Sequence, residues 1–99
     1  MSAYVVVQID VKDPVAYEEY RRLATPTVGA YDGRYIVRGG ASEILEGSWQ
    51  PRRLVVLEFP TVERARAWWS SPEYAPAKAI RQRCAHTEML VIEGAPTPA

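Results

Sequence analysis

Three stretches of this chain are apolar on nearly every successive side chain, and this limits what it can fold into more than any other feature. Along Tyr4–Val11, Val5, Val7 and Ile9 point one way while Tyr4 and Val6 point the other. Along Arg53–Phe59, Val55, Leu57 and Phe59 oppose Leu54 and Val56; along Thr87–Glu93, Met89 and Val91 oppose Leu90 and Ile92. Strand side chains alternate between the two faces of a sheet, so a sheet with one wet face should alternate apolar with polar. These strands do not.

The segments between them supply helices. Asp13 caps and Pro14 opens a helix in which Ala16, Tyr17, Tyr20, Leu23 and Ala24 form an aromatic-rich stripe. Pro26 is expected to kink or end it, with a short turn reaching Ala30. Asp32-Gly33 turns the chain into a strand, Arg34–Arg38, with both arginines on one side, closed by Gly39-Gly40. Ala41–Pro51 reads as a long bent arm. After the strand to Phe59, Thr61 caps a helix in which Val62, Ala65 and Trp69 share a face with Trp68 beside it. Ser71-Pro72 repeats the cap-then-proline signal before Tyr74, Ala77, Ile80, Arg81 and Cys84. The order β-α-β-β-α-β predicts an α+β, ferredoxin-like domain over residues 1–94, with an antiparallel four-stranded sheet and a flexible tail at 95–99.

Two helices cover one face of such a sheet. The other keeps roughly five to eight large apolar side chains, each worth about 1.5–3 kcal/mol when buried. A chain of 99 residues holds one small core and no third layer. A second copy is the natural cover, so a homodimer joined through its sheet faces is predicted.

Twelve basic residues balance twelve acidic ones, which gives no general electrostatic reason to bind nucleic acid or an anionic membrane. The strand Arg53–Phe59 also lacks the glycine and paired aromatics on which RNA-recognition modules of the same fold order stack bases. A single cysteine, Cys84, no leader-like start and no long apolar run lead us to expect a cytoplasmic protein. Cys84 has no metal-ligand spacing around it, and the chain carries no nucleophile elbow, phosphate loop or dinucleotide fingerprint. No metal and no cofactor are expected.

The residues that carry chemistry each have two readings. Glu58 interrupts the second sheet face with Gln8 and Asp10; a carboxylate there is either part of a site or half of a structural ion pair. Arg38-Gly39-Gly40 sets a planar donor fork beside residues that admit close backbone approach, as a carboxylate or enolate ligand requires, though a bend in the hairpin explains both glycines equally. Trp49, Trp68, Trp69, Tyr20, Tyr35 and Tyr74 line either a pocket for a flat ligand or a core. His86 is an acid or base, or a partner of a helix dipole.

Arg34-Tyr35-Ile36-Val37-Arg38-Gly39-Gly40, then Leu45-Glu46-Gly47-Ser48-Trp49, Glu58-Phe59-Pro60 and Ser71-Pro72-Glu73-Tyr74, resemble an uncharacterised bacterial family, domain of unknown function 1330, from Tyr4 to Gly94. The resemblance implies a dimeric α+β barrel, as in cofactor-free monooxygenases, muconolactone isomerases and haem-degrading enzymes, with no established activity for the family itself. Its motif residues here are Tyr20, Arg38, Gly39, Gly40, Glu46, Gly47, Trp49, Phe59, Trp69, Ser71, Tyr74 and Arg81. Asp32 stands where the pattern favours glycine, and Trp69 where tyrosine is common.

The expectation is a small-molecule-binding homodimer, with or without cofactor-independent catalysis on an anionic or aromatic compound. Arg38 would hold the anionic or enolic group against Trp49, Trp69 and Tyr74, with Tyr20 and Arg81 in the same site. Glu58 and His86 are the weak candidates for moving a proton. A non-catalytic ligand-binding or structural dimer module is the alternative.

Overall fold

The computed structural model describes residues 2–96; the last three residues of the expected tail, 97–99, lie outside the described residues. The elements run β1 (Ala3–Val11), α1 (Pro14–Ala30), β2 (Arg34–Arg38), β3 (Leu54–Phe59), α2 (Val62–Trp69), α3 (Ala75–Cys84) and β4 (Ala85–Glu93). The sheet order is β2-β3-β1-β4 with every neighbouring pair antiparallel, the ferredoxin-like arrangement with its second helix split in two.

Local chemistry accounts for most boundaries. The Asp13 carboxylate accepts from Val15 N and Ala16 N at 3.1 and 3.2 Å, and Pro14 takes the first helical position where its missing donor costs nothing. Thr61 Oγ1 accepts from Arg64 N at 3.0 Å and opens α2. Pro26 neither ends nor divides α1, which runs unbroken to Ala30. Arg22, Thr25 and Pro26 face solvent, so water can reach the carbonyl the proline leaves free, and Thr25 Oγ1 donates to the Arg21 carbonyl at 2.8 Å. Ser71 does not cap α3. Its Oγ accepts from Tyr74 N at 3.1 Å and closes a separate turn, and α3 starts after Tyr74 with Pro76 in its first turn. Asp32 has φ 65°, the left-handed region that favours glycine, while Asp32 N and Gly33 N bond back to the Gly29 and Val28 carbonyls at 3.0 and 2.9 Å.

The register assigns the faces. Ala3, Val5, Val7 and Ile9 of β1 point toward the helices and are buried, as are Val55, Leu57 and Phe59 of β3. Tyr4, Val6, Gln8 and Asp10 point away, level with Ile92, Leu90, Glu88 and His86 on one side and, for the first three, with Glu58, Val56 and Leu54 on the other. Arg34 and Arg38 do not share a side. A bulge between Tyr35 and Val37 inserts one residue, so Arg34 lies opposite Glu58 on the open face while Arg38 lies opposite Val55 on the helix face.

The core is aromatic. Trp68 packs on Tyr74 with ring centroids 4.2 Å apart and on Phe59 at 5.4 Å, and its Nε1 donates to Thr27 Oγ1 at 3.0 Å. Of the two adjacent tryptophans, Trp68 is thus the core residue, one helical turn from buried Ala65, and Trp69 is 44% exposed. Gly33 passes close beneath this stack: a Cβ there would sit 2.5 Å from Phe59 Cε1, whereas nothing lies within 4 Å of one at Gly40. Gly33→Ala is therefore expected to cost about 1–3 kcal/mol in urea unfolding by overpacking. Gly40→Ala should stay within about 0.5 kcal/mol of the parent protein, and equal effects at both positions would contradict this packing.

Candidate functional site

Tyr20 sits on the buried stripe of α1, and Tyr74 immediately precedes α3, with Arg81 seven residues further on within it. The structure brings the three together. The Tyr20 and Tyr74 hydroxyls are 3.0 Å apart, and Arg81 Nε donates to Tyr74 Oη at 3.3 Å. Burial pushes the Tyr20 hydroxyl far above the ordinary phenol range, so it stays protonated and serves as a neutral hydrogen-bonding group.

Arg81 is only 4% exposed, yet among the described residues no acidic side chain pairs with it. It lines a cleft of about 380 Å³ between α2, α3 and β4, together with Arg66, Trp68, Trp69, Gln82, Thr87 and Met89. Every charged group on the wall is cationic. Thr87 Oγ1 is buried there without a hydrogen-bond partner. On the rim, Lys78 places its ammonium 3.8 Å from the Trp69 ring centroid and bonds the Trp69 carbonyl at 3.0 Å. The arrangement offers a flat anion two aromatic walls, a desolvated donor fork and a free hydroxyl.

The other sequence-derived residues lie elsewhere. Arg38 is exposed near α1, donating to Thr25 Oγ1 at 2.7 Å with its guanidinium 4.1 Å from the Tyr35 ring centroid. Trp49, on the exposed arm, donates to Gln8 Oε1 at 2.7 Å and so reaches the open sheet face. Glu58 and His86 are on that face too, away from the cleft. Arg34 Nε bonds Glu58 at 2.7 Å and Tyr4 Oη donates to it at 3.2 Å. Sequence reasoning missed Thr87 and Met89 as cleft residues, because how α2 and α3 pack against β4 is not readable from a strand pattern; it weighed Trp68 only among the aromatics. Thr87 lies opposite Ile9 on the helix face, and nothing in the strand pattern showed that its hydroxyl would lack a partner.

The Arg34 hydrogen bond, aided by Ser2 and Tyr4, holds the Glu58 carboxyl below the usual carboxylate range. A depressed carboxyl stabilises the fold above its unfolded pKa, near 4.3 for glutamate, and that contribution is lost as pH falls through the folded value. Glu58→Gln is expected to lower stability in the neutral region, where the pair contributes, and to flatten the acid limb below about pH 4.3, because the variant has no such contribution to lose. An unaltered acid limb would show that the pair contributes nothing.

The family model for Domain of unknown function (DUF1330) matches residues 2–95. The chain belongs to this family. No curated protein matches the DUF1330 chain. Among solved structures it is similar to a protein of unknown function from Rhodopseudomonas palustris, at 17% identity and TM-score 0.76 over 97% of this chain and 84% of that one. A dimeric ferredoxin-like protein of unknown function from Jannaschia sp. CCS1 is 13% identical with TM-score 0.71, covering 95% of this chain and 100% of that one. SnoaB, a cofactor-independent oxygenase from Streptomyces nogalater, is 12% identical with TM-score 0.62, covering 97% and 95%. At these identities the likeness shows the α+β fold alone. Among the described residues of the DUF1330 chain, no helix is long and apolar enough to cross a membrane.

Proposed function

We propose that this protein is a homodimer that binds a small, flat, anionic compound in the cleft between α2, α3 and β4. One observation carries the reading: the Arg81 guanidinium is buried beside an unpartnered Thr87 hydroxyl in an aromatic cleft, with no carboxylate among the described residues to neutralise it. A buried charge without a counter-charge is costly, and a ligand that supplies the missing charge recovers that cost on binding. Trp69 lines the same cleft, Tyr74 and Tyr20 hold the guanidinium in place from behind, and Arg38 and Trp49 lie outside it.

The likeness to SnoaB supports a second reading in which the bound compound is also converted without a cofactor. Neither Glu58 nor His86 reaches the cleft, so the acidity would have to reside in the ligand: an enol or phenol held against a desolvated guanidinium loses its proton more readily. The homodimer rests on the open sheet face, where Leu90 and Ile92 are each 54% exposed and Val37 is 41% exposed, and on the dimeric Jannaschia neighbour.

A thermal-shift screen of small aromatic acids and quinols tests the binding reading. Arg81→Met should raise the melting temperature of the unliganded protein, corresponding to about 1–4 kcal/mol by analogy with buried ionic groups replaced by apolar ones, and should abolish ligand-induced shifts. Hits that shift Arg81→Met as much as the parent protein would place the site elsewhere. Oxygen consumption or product formation with a hit separates the catalytic reading from binding alone. For the dimer, sedimentation equilibrium at micromolar concentration is expected to give twice the chain mass of 11.1 kDa, and a monomer would overturn it.

A further inference from the structure

A second, smaller cavity of about 20 Å³ lies between α1 and the sheet, lined by Tyr17, Tyr20 and Tyr35 and by three arginines, Arg21, Arg38 and Arg53. The cationic groups outnumber their partners. Arg21 Nη1 goes to Glu18 at 3.0 Å and Arg38 Nη2 to the Thr25 hydroxyl at 2.7 Å, while among the described residues the Arg53 side chain makes no hydrogen bond. Arg21 Nε and Arg53 Nε are both buried with no acceptor. Glu18 faces the first of the three charges, and no carboxylate lines the cavity.

The backbone keeps this arrangement open. Gly39 has φ +74°, and a Cβ added to it would collide with the Arg53 guanidinium, so the residue after Arg38 must be glycine for the second fork to lie where it does. Gly39 therefore leaves room for the Arg53 guanidinium, and does more than form a bend. The space admits about one water-sized group. A water would accept two hydrogen bonds but leave the surplus charge uncompensated, whereas an anion answers both demands.

We propose that this cavity is a second anion site, separate from the Arg81 cleft, which takes one monovalent group: a halide ion, or a single oxygen of a carboxylate entering from the α1 side. Tyr17 gives one wall an aromatic face, with the Arg53 guanidinium carbon 5.8 Å from its ring centroid. Sharing Trp68 and Met89 with the larger cleft puts the two sites back to back across the same core residues.

Chloride-35 NMR linewidth tests the proposal on the intact protein. The parent protein is expected to broaden the chloride line, and Arg53→Met and Arg21→Met should each lose that broadening, while Arg81→Met keeps it. Acetate added at constant chloride should narrow the line again if a carboxylate enters; a line that acetate leaves broad restricts the site to halide. No broadening by the parent protein, together with no saturable acetate-dependent rise in its melting temperature, would overturn the proposal and leave the space to water. Broadening that survives in both Arg53→Met and Arg21→Met would overturn it as well. Broadening lost only in Arg81→Met would assign the bound anion to the larger cleft instead, leaving the two readings distinguishable.

Discussion

The rest of the structure depends on β1, a central strand apolar on both faces. It pairs with β3 on one side and β4 on the other, so neither of its edges is free, and the helices reach only one of its faces. The helix face is filled by the stack of Phe59, Trp68 and Tyr74 and by the valines and Ile9 of β1. The opposite face has no layer of its own. The molecule spans 46 × 38 × 16 Å, a slab one sheet and one helix layer thick. Its radius of gyration of 14.0 Å exceeds the roughly 12.6 Å expected of a compact chain this long. The arm of residues 41–50, exposed throughout, extends the slab, and the Trp49–Gln8 hydrogen bond ties it to the uncovered face.

The helix layer does more than cover the sheet. Splitting the second helix lets α3 run against α1, which brings Tyr74 to Tyr20 and carries Arg81 into the interior behind them. A guanidinium in that position lowers stability unless something compensates it, and the hydrogen bond to a neutral Tyr74 supplies no charge. On the proposed reading, stability and ligand binding are thus opposed at one residue. Glu58 carries its ion pair on the other face, with the exposed Arg34, where it serves the sheet and not the cleft.

Much of the fold was legible because local rules decided it. The Asp13-Pro14 and Thr61 helix starts, the strand order and the two apolar faces follow from capping chemistry and from a period of two. Other features escaped because they depend on exposure or on an inserted residue. Pro26 stays within α1 because its free carbonyl partner meets water; an identical proline on the buried side would break the helix. The bulge at Ile36 sent Arg38 to the helix face, and no pattern of five residues announces a bulge. Tyr20, Tyr74 and Arg81 come together in the structure, whereas Arg38, expected beside them, meets only Tyr20 at the smaller cavity, and Trp49 lies on the exposed arm.

By itself the sequence determined the element order and the two-faced sheet, one face of which the helices do not cover, since backbone geometry ties side-chain direction to position along a strand. It also offered arginines and aromatics, with Glu58 and His86, as the candidates for chemistry. Only the tertiary structure decided which arginine is buried without a carboxylate, which tryptophan belongs to the core, and which donors are left over in the two cavities. Those outcomes depend on distances between residues up to 54 positions apart, as between Tyr20 and Tyr74, and on whether water reaches them. Desolvation and pairing are properties of an assembled interior, so no local pattern encodes them.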